Sequence, residues 1–221
     1  MIDHELRRRL MVERQLRARG VRDPRVLAAM ASVPREELVA PELAARAYDD
    51  TPLPIAAGQT ISQPYIVALM TEALELRGDE TVFEIGTGSG YAAAVLALVA
   101  RRVCTIERVP ELAAIARRRL ARLGFEHVEV RTGDGTLGWP DHEPFDAIVV
   151  AAGGPRIPHA LLEQLAIGGR LVMPVGNDRE QELVRVTRVG EHEFREDNLG
   201  AVRFVPLIGK QGWAAHDEEA V

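Results

Sequence analysis

The chain has 221 residues, of which 47% are hydrophobic and 27% charged, and its 33 Asp and Glu residues outnumber its 27 Lys and Arg residues to give a net charge of −6. This composition is enough for one large globular domain with an apolar core, and it excludes a disordered or fibrous protein. The acidic balance argues against a nucleic-acid-binding surface, which would usually be basic.

The first third of the chain predicts helices joined by one long loop. Residues 3–19 are predicted to form a helix that ends at Gly20, and residues 24–31 a second, short helix. Residues 48–63 are rich in Pro, Gly and Thr, which is typical of a connecting loop. An apolar helix is predicted for residues 66–76, so the loop leads directly into it.

The next segment is a predicted strand that ends in an acid and then breaks into alternating glycines. Residues 81–85 are β-branched or aromatic except for Glu84, and Gly86, Gly88 and Gly90 follow. The glycines allow a sharp turn and a close approach to a ligand. Their spacing is G-x-G-x-G rather than the G-x-G-x-x-G of dinucleotide sites, and a carboxylate at Glu84 would repel a pyrophosphate but attract a cation. The segment therefore favours S-adenosyl-L-methionine, which carries an amino group and a sulfonium.

Further strands are predicted, and an acidic residue follows each of the next two. A helix predicted for residues 91–100 leads to a strand at 102–106 and then to Glu107, 21 residues after Gly86, where nucleotide-binding units place the acid that binds ribose hydroxyls. A strand at 128–131 precedes Asp134, which lies between two glycines and can accept a hydrogen bond from an adenine amino group. The remaining predicted elements are a strand at 145–151, a helix at 158–166, a strand at 169–174 and a final hairpin-like pair at 182–189 and 201–205.

This order of elements predicts an α/β fold. We expect a doubly wound, Rossmann-like sheet, mostly parallel with an antiparallel C-terminal strand, preceded by N-terminal helices. One domain is expected over residues 1–213, with residues 1–78 supplying the helices and the substrate loop and residues 79–213 the cofactor-binding sheet. Residues 214–221 are expected to form a mobile tail.

Five segments resemble the protein-L-isoaspartate O-methyltransferase family. They are GQTISQPYIVALM at 58–70, TVFEIGTGSGY at 81–91, IERVPEL at 106–112, GDGTLGWP at 133–140 and VRFVPLI at 202–208. The first is the most diagnostic, since many S-adenosylmethionine enzymes share the glycine loop. The resemblance implies methyl transfer from S-adenosyl-L-methionine to the free α-carboxylate of isoaspartyl residues in damaged proteins, with S-adenosyl-L-homocysteine as the other product. In that family the ester collapses to a succinimide that can hydrolyse to normal aspartate.

The resemblance also implies roles for individual residues. Ser62 matches the serine at the family's active site. Cofactor contacts are expected from Gln59, Thr60, Ile61, Ser62, Glu84, Gly86, Gly88, Gly90, Glu107, Arg108, Asp134, Gly135 and Gln211. Substrate contacts are expected from Thr60, Ser62, Val205, Pro206 and Leu207. The sequence departs from the family pattern at Ala92, Gly153, Gly154 and Ile208, which concerns loop packing more than chemistry.

Carboxylate methylation makes modest demands on the protein. The acceptor is already an anion at neutral pH, so no general base is needed, and alignment of the reacting atoms is the main task. Ser62 is therefore expected to orient the acceptor carboxylate by a hydrogen bond rather than to act as a nucleophile. Its position before Pro64 also suits a helix cap, and it could serve both purposes.

Other functions remain open at this point. Another S-adenosylmethionine-dependent methyltransferase with a small-molecule or RNA acceptor is one alternative, although Ala151, Ala152, Gly153 and Gly154 after the fourth strand offer no polar side chain for an amine. An oxidoreductase that uses a nicotinamide cofactor on the same architecture is a second alternative, although Lys210 is the only lysine and a Tyr-x-x-x-Lys catalytic pair is absent. A non-catalytic cofactor-binding module is a further alternative.

The expected setting is the cytoplasm. The single cysteine, Cys104, excludes an intramolecular disulfide, and no apolar N-terminal segment resembles a signal peptide. The six histidines form no pair at zinc-ligand spacing, so no metal is expected. We expect a monomer that acts on isoaspartyl-containing proteins and peptides and binds neither nucleic acid nor membrane.

Overall fold

A computed structural model describes residues 3–214, so all of the predicted tail except Ala214 lies outside the described residues. The α-helices of this part are α1 (His4–Met11), α2 (Pro24–Ser32), α3 (Pro64–Ala73), α4 (Tyr91–Ala97), α5 (Pro110–Arg122) and α6 (His159–Glu163). Helix α1 continues through a π-turn at Val12–Leu16 and a 3-10 turn at Arg17–Arg19 to left-handed Gly20, which confirms the predicted first helix and its end. Further 3-10 turns lie at Arg35–Leu38, Pro41–Arg46, Gly135–Leu137 and Pro140–His142.

The strands form one large sheet and one small one. They are β1 (Leu53–Pro54), β2 (Thr60–Ile61), β3 (Thr81–Ile85), β4 (Arg102–Glu107), β5 (Glu129–Thr132), β6 (Phe145–Val150), β7 (Leu165–Gly176), β8 (Gln181–Arg188) and β9 (Phe194–Val202). The large sheet has the order β5-β4-β3-β6-β7-β8-β9, and β1 pairs with β2 inside the predicted loop. Strands β3 to β7 are parallel, whereas β8 is antiparallel to both of its neighbours. The predicted doubly wound, mostly parallel sheet is confirmed.

The sheet has a hydrophobic cluster on each face. Every residue of β3 is buried, as expected for a central parallel strand covered on both sides. Val82 belongs to the cluster that also contains Met30 of α2, whereas Phe83 stacks on Phe145 with 4.8 Å between ring centroids. The N-terminal helices therefore share a core with the sheet.

Several predicted boundaries are wrong, and the last strand is the largest error. The structure pairs β8 with Phe194–Val202 rather than with residues 201–205. Strand β9 has no fully buried residue, so its sequence lacks an alternating apolar signal. Residues 203–205 lie outside the strand, and the Phe204 amide instead donates to the Gln181 side chain at 2.8 Å.

Three helices also end earlier than predicted. Helix α6 ends at Glu163 because Leu165 already pairs with Phe145 of β6, and the register shift after this pair places residues 166–169 in a bulge. Helix α4 ends at Ala97 rather than at residue 100, and α3 occupies Pro64–Ala73 rather than residues 66–76. Within residues 3–214, no helix is both long and apolar enough to cross a bilayer.

Candidate active site

Two adjoining cavities lie at the carboxyl ends of β3, β4 and β6. The smaller has a volume of about 120 Å³ and is lined by the glycine loop and by the start of the segment after β4. The larger has a volume of about 1250 Å³ and extends along the loop before α3 and the segment after β9. The two cavities share Thr60, Ala151, Val205, Pro206 and Ile208. A shared wall of this kind suits a reaction between two ligands, one in each cavity.

The glycine loop has the sharp turn that its sequence predicts. Gly86, Gly88 and Gly90 have φ values of +94°, +51° and +89°, a region that favours glycine over residues with a Cβ. Helix α4 begins immediately after Gly90, and the Gly86 amide donates to Ile106 O at 2.9 Å. Gly86 and Gly88 line the smaller cavity, whereas an added Cβ at Gly90 would meet Leu120 rather than a ligand.

Glu107 connects the glycine loop to the end of β4. One carboxylate oxygen accepts from the Gly88 amide and the other from the Val109 amide, both at 2.9 Å. Glu107 and its neighbour Arg108 line the smaller cavity. Each carboxylate oxygen has two lone pairs, so Glu107 keeps acceptor capacity for hydroxyl groups of a bound ligand.

Glu84 lies behind the glycine loop rather than on the cavity wall. Its Oε2 accepts from the Thr105 hydroxyl at 2.5 Å, and Thr105 Oγ1 lies 2.6 Å from Thr87 Oγ1 of the loop. Its fully buried Oε1 has no hydrogen-bond partner among residues 3–214. The pKa of Glu84 is raised to about 8: burial is the main cause, the Thr105 hydrogen bond opposes it, and the charge of Glu107 adds to it. An unpartnered carboxylate oxygen beside the loop fits a cationic group of a ligand.

Asp134 organises the turn after β5. Its Oδ1 accepts from Thr136 N at 2.9 Å and from Thr136 Oγ1 at 2.6 Å, and its Oδ2 accepts from Lys210 N at 2.8 Å. Although burial opposes the change, these hydrogen bonds lower the pKa of Asp134. Asp134 therefore attaches the segment around Lys210 to the sheet.

Gly135 lies on the wall of the smaller cavity at a position that has no room for a side chain. A Cβ there would come within 2.4 Å of Ile85 Cγ2 and 2.8 Å of Ile106 Cγ2.

Three other predicted cofactor residues, Asp134, Ile61 and Gln211, lie away from both cavity walls. The Ile61 side chain is buried in the hydrophobic core. The side-chain Oε1 of Gln211 accepts from Ala160 N at 3.2 Å, and the main-chain N–H of Gln211 donates to Thr136 Oγ1 at 3.1 Å.

Ser62 and Thr60 occupy the loop side of the larger cavity. Ser62 lines this cavity, and its hydroxyl makes no hydrogen bond within the described part of the chain. Helix α3 has Gln63 at its N-cap without a side-chain cap bond, so the predicted capping role of Ser62 is not present in the structure. Thr60 lines both cavities, and Gln59 lines the smaller one.

The segment Val205 to Leu207 forms the wall opposite this loop. Val205 O accepts from Gly153 N and Leu207 N donates to Gly153 O, both at 2.8 Å, which fixes the segment beside the end of β6. The Val205 amide and the Pro206 carbonyl make no hydrogen bond within residues 3–214. Two main-chain groups thus remain available to a ligand.

The departures at Gly153 and Gly154 have a local packing reason. A Cβ on Gly153 would come within 2.5 Å of Gln181 Nε2, and one on Gly154 within 2.5 Å of Met173 Cε. Gln181 in turn bonds both main-chain groups of Phe204. The two glycines therefore allow the close approach of β7 and β8 side chains beside the cavity. Of the other departures, Ile208 lines both cavities, whereas Ala92 lines neither.

No sequence pattern predicts several residues on the wall of the larger cavity. They are Arg19, Tyr65, Gln181 and Trp213. Trp213 Nε1 donates to Gly153 O at 3.0 Å. Tyr65 lies within the diagnostic segment at 58–70, which could have indicated it, whereas Arg19 comes from the distant N-terminal helix.

One cluster of possible metal ligands lies at the other end of β4. Ligand atoms of Cys104, Glu129 and His142 are within 4.8 Å of one another, a proximity that histidine spacing does not predict. Arg102 lies among them, with Nη2 at 2.6 Å from Glu129 Oε1 and 3.1 Å from His142 Nδ1. Burial raises the pKa of the Cys104 thiol to about 11, so the thiol is neutral. A cation would have to displace the arginine, and the cluster is therefore an ion-pair network.

Comparison with known proteins gives a consistent result. The family model for protein-L-isoaspartate (D-aspartate) O-methyltransferase matches residues 7–212. A protein-L-isoaspartate O-methyltransferase from Rhodopseudomonas palustris is 61% identical to this chain, over 92% of this chain and 94% of the relative. A protein of the same name from Pelobacter propionicus is 58% identical to it, over 96% of this chain and 94% of the relative.

Solved structures agree. A protein-L-isoaspartate O-methyltransferase superposes with a TM-score of 0.82 at 30% identity over 92% of this chain and 67% of the other. A Plasmodium falciparum structure, described as that enzyme in complex with S-adenosyl-L-homocysteine, has a TM-score of 0.77 at 26% identity over 94% and 99%. The chain belongs to the protein-L-isoaspartate (D-aspartate) O-methyltransferase family.

Proposed function

We propose that this protein transfers the methyl group of S-adenosyl-L-methionine to the free α-carboxylate of isoaspartyl residues in damaged proteins and peptides. Family membership and the relatives of that name support this reaction and cofactor. The observation that carries the proposal is the pair of cavities with one shared wall at the carboxyl ends of the strands. This is the end of an open α/β sheet where ligands bind.

The smaller cavity is the proposed cofactor site. When bound, S-adenosyl-L-methionine supplies an electrophilic methyl group on a positively charged sulfur. Glu107 would accept hydrogen bonds from ribose hydroxyls, Asp134 from the adenine amino group, and Glu84 from the α-amino group. Gly135 and the glycine loop leave space for close approach, and the other proposed contacts are Gln59, Thr60, Ser62 and Arg108. Ile61 and Gln211, which lie away from both cavities, are not proposed as cofactor contacts. The unpartnered Oε1 of Glu84 supports the assignment of a cation to that position.

The larger cavity is the proposed peptide site. Neither histidine nor cysteine lines either cavity within residues 3–214, so the wall offers no such base to ionise an acceptor. A carboxylate acceptor, with a pKa near 4, needs none. Ser62 would donate a hydrogen bond that orients this carboxylate, while the apolar wall around Ile66 and Leu69 excludes water. Correct alignment of the reacting atoms alone can lower the activation free energy by about 7–11 kcal/mol.

Binding of many different peptides would follow from main-chain recognition. We propose that an extended peptide lies along Val205, Pro206 and Leu207 and uses the Val205 amide and the Pro206 carbonyl, with Thr60 on the opposite wall. Main-chain hydrogen bonds are independent of side-chain identity, which suits a repair enzyme with many substrates. Strong dependence of turnover on flanking side chains would contradict this mode.

We propose a single domain over residues 1–213, because the N-terminal helices and the sheet share one hydrophobic cluster. We further propose a cytoplasmic monomer that binds neither nucleic acid nor membranes, in line with the net charge of −6.

The reaction is tested by methyl transfer from labelled S-adenosyl-L-methionine to two short peptides that differ only in isoaspartate or aspartate at one position. We expect label in the isoaspartyl peptide alone. Label in both peptides would contradict the proposed specificity, and cofactor binding without label in either would contradict the proposed acceptor.

A further inference from the structure

Helix α3 begins at Pro64, two residues after Ser62, and a residue from the other end of the loop caps it. The N-cap residue, Gln63, makes no side-chain cap bond. Instead, Oδ1 of Asp50 accepts from the Tyr65 amide at 3.2 Å, across 15 positions of sequence. This acceptor satisfies one of the free N–H groups at the helix start, and the Ser62 hydroxyl is not needed for it.

Arg19 completes the cluster from a third element. Its Nη1 donates to Oδ2 of Asp50, and its guanidinium carbon lies 3.4 Å from the centroid of the Tyr65 ring. Asp50 is thus bound by a main-chain donor on one oxygen and by a cation on the other. The guanidinium is held on the aromatic face, an arrangement that combines a charge-assisted hydrogen bond with a cation–π contact.

The cluster surrounds the position of Ser62. Residue 62 lies between β2 and the first turn of α3, so the placement of that turn sets where its hydroxyl points. Arg19, Ser62 and Tyr65 all line the larger cavity. If Asp50 is lost, the helix start loses its acceptor, and Arg19 loses its carboxylate partner.

We propose that Asp50 and Arg19 are positioning residues that hold Ser62 in place for the acceptor carboxylate. This inference rests on the proposed role of Ser62 in the larger cavity. A cap that only stabilised the helix would contribute about 1 kcal/mol to folding and leave turnover unchanged. A positioning residue also changes turnover, because a displacement of about 1 Å at a reacting group can cost up to about a hundredfold in rate.

The test measures kcat and KM for an isoaspartyl peptide, the Kd for S-adenosyl-L-homocysteine by calorimetry, and the melting temperature. Asp50→Ala is expected to lower kcat by about tenfold or more with an unchanged Kd. Asp50→Asn keeps an acceptor for the Tyr65 amide and is expected to restore part of that loss. Arg19→Lys keeps the charge but not the planar stacking, and is expected to lower kcat less than Asp50→Ala does. These two milder variants keep the test decisive if Asp50→Ala does not fold.

Two comparison variants separate the possible failures. Asp49→Asn changes the adjacent acid, which pairs with Arg46 at 3.6 Å outside both cavities, and should leave all four quantities unchanged. Ser62→Ala should lower kcat with an unchanged Kd. If Ser62→Ala lowers kcat while all Asp50 and Arg19 variants stay within about twofold of the unchanged protein, the positioning role is overturned. If Ser62→Ala is itself fully active, the proposed role of Ser62 fails and the inference fails with it.

Discussion

The Thr105 hydroxyl donates a 2.5 Å hydrogen bond to one oxygen of the fully buried Glu84 carboxylate, while the other oxygen has no partner among residues 3–214. The same Thr105 oxygen lies 2.6 Å from the hydroxyl of Thr87, which is part of the glycine loop. A short polar chain therefore runs from a buried acid to the proposed cofactor site. Glu84 is therefore linked to the glycine loop through Thr105, and its unpartnered oxygen is the one proposed to meet the cationic group of the cofactor.

Cofactor binding is expected to release a proton from Glu84. Because its pKa is raised to about 8, Glu84 is mostly protonated at pH 7 in the free protein. A cationic amino group beside the carboxylate would favour the ionised form and lower that pKa. Calorimetry of cofactor binding in two buffers of different ionisation enthalpy should show proton release at pH 7 and almost none at pH 9.5. Glu84→Gln should bind more weakly and release none, whereas exposed Glu126→Gln should behave like the unchanged protein.

The same group links stability to pH without any ligand. Between pH 4.5 and about 8 the folded chain holds a proton on Glu84 that the unfolded chain has lost. The free energy of unfolding therefore falls as pH rises through this window, by on the order of 4 kcal/mol for this one group. Urea unfolding at pH 5 and at pH 9 should show that Glu84→Gln loses less stability over this range than the unchanged protein. Parallel losses in the two proteins would show that Glu84 is ionised in the folded chain.

Thr105→Val is expected to destabilise the protein by about 1–3 kcal/mol, because it leaves a buried carboxylate oxygen and the Thr87 hydroxyl without a partner. Thr187→Val is the matched control, since the Thr187 hydroxyl is buried without a hydrogen bond among the described residues. Its replacement should be neutral or stabilising. Urea unfolding of both variants at one pH measures the difference, and equal effects would mean that the Thr105 hydrogen bond contributes nothing.

Gly135→Ala is expected to block the smaller cavity. Its Cβ would come within 2.4 Å of Ile85 Cγ2, and relief requires movement of the Ile85 and Ile106 side chains in the core. Overpacking of this kind costs about 1–3 kcal/mol of stability and should greatly weaken S-adenosyl-L-homocysteine binding. Gly190→Ala is the control, because the nearest atom to its Cβ is at 3.4 Å and it lies on the turn before β9. Unchanged affinity of Gly135→Ala for S-adenosyl-L-homocysteine would show that Gly135 does not line the cofactor site.

The central sheet could be predicted from sequence because its signals are local. Strand β3, the glycines after it and Glu107 are each defined by neighbouring residues and by spacing along the chain. The contact between Asp50 and Tyr65 could not be predicted in this way, because it depends on how the loop folds over α3. The bounds predicted for β9 are wrong for a different reason, because an exposed edge strand has little alternation of apolar and polar residues. The sequence likewise allows Ser62 to cap α3, and only the three-dimensional contact shows that Asp50 accepts from the Tyr65 amide instead.

Gly153→Ala is expected to impair peptide binding more than cofactor binding. Its Cβ would come within 2.5 Å of Gln181 Nε2 and 2.6 Å of Gln181 Cδ, and this side chain holds both main-chain groups of Phe204. A displaced Gln181 would shift the segment that leads to Val205 and Pro206 on the peptide side. Steady-state kinetics should therefore show a higher KM for the isoaspartyl peptide and an almost unchanged Kd for S-adenosyl-L-homocysteine.

The double variant Gly153→Ala with Gln181→Ala identifies the cause of that effect. Removal of the Gln181 amide relieves the clash but also removes its bonds to Phe204, so Gln181→Ala alone should raise the KM as well. Because both single changes act through the same displaced segment, the double variant should be no worse than the more affected single variant. Additive losses would mean that Gly153 and Gln181 act on the peptide site independently, and that the Phe204 segment does not depend on their close approach.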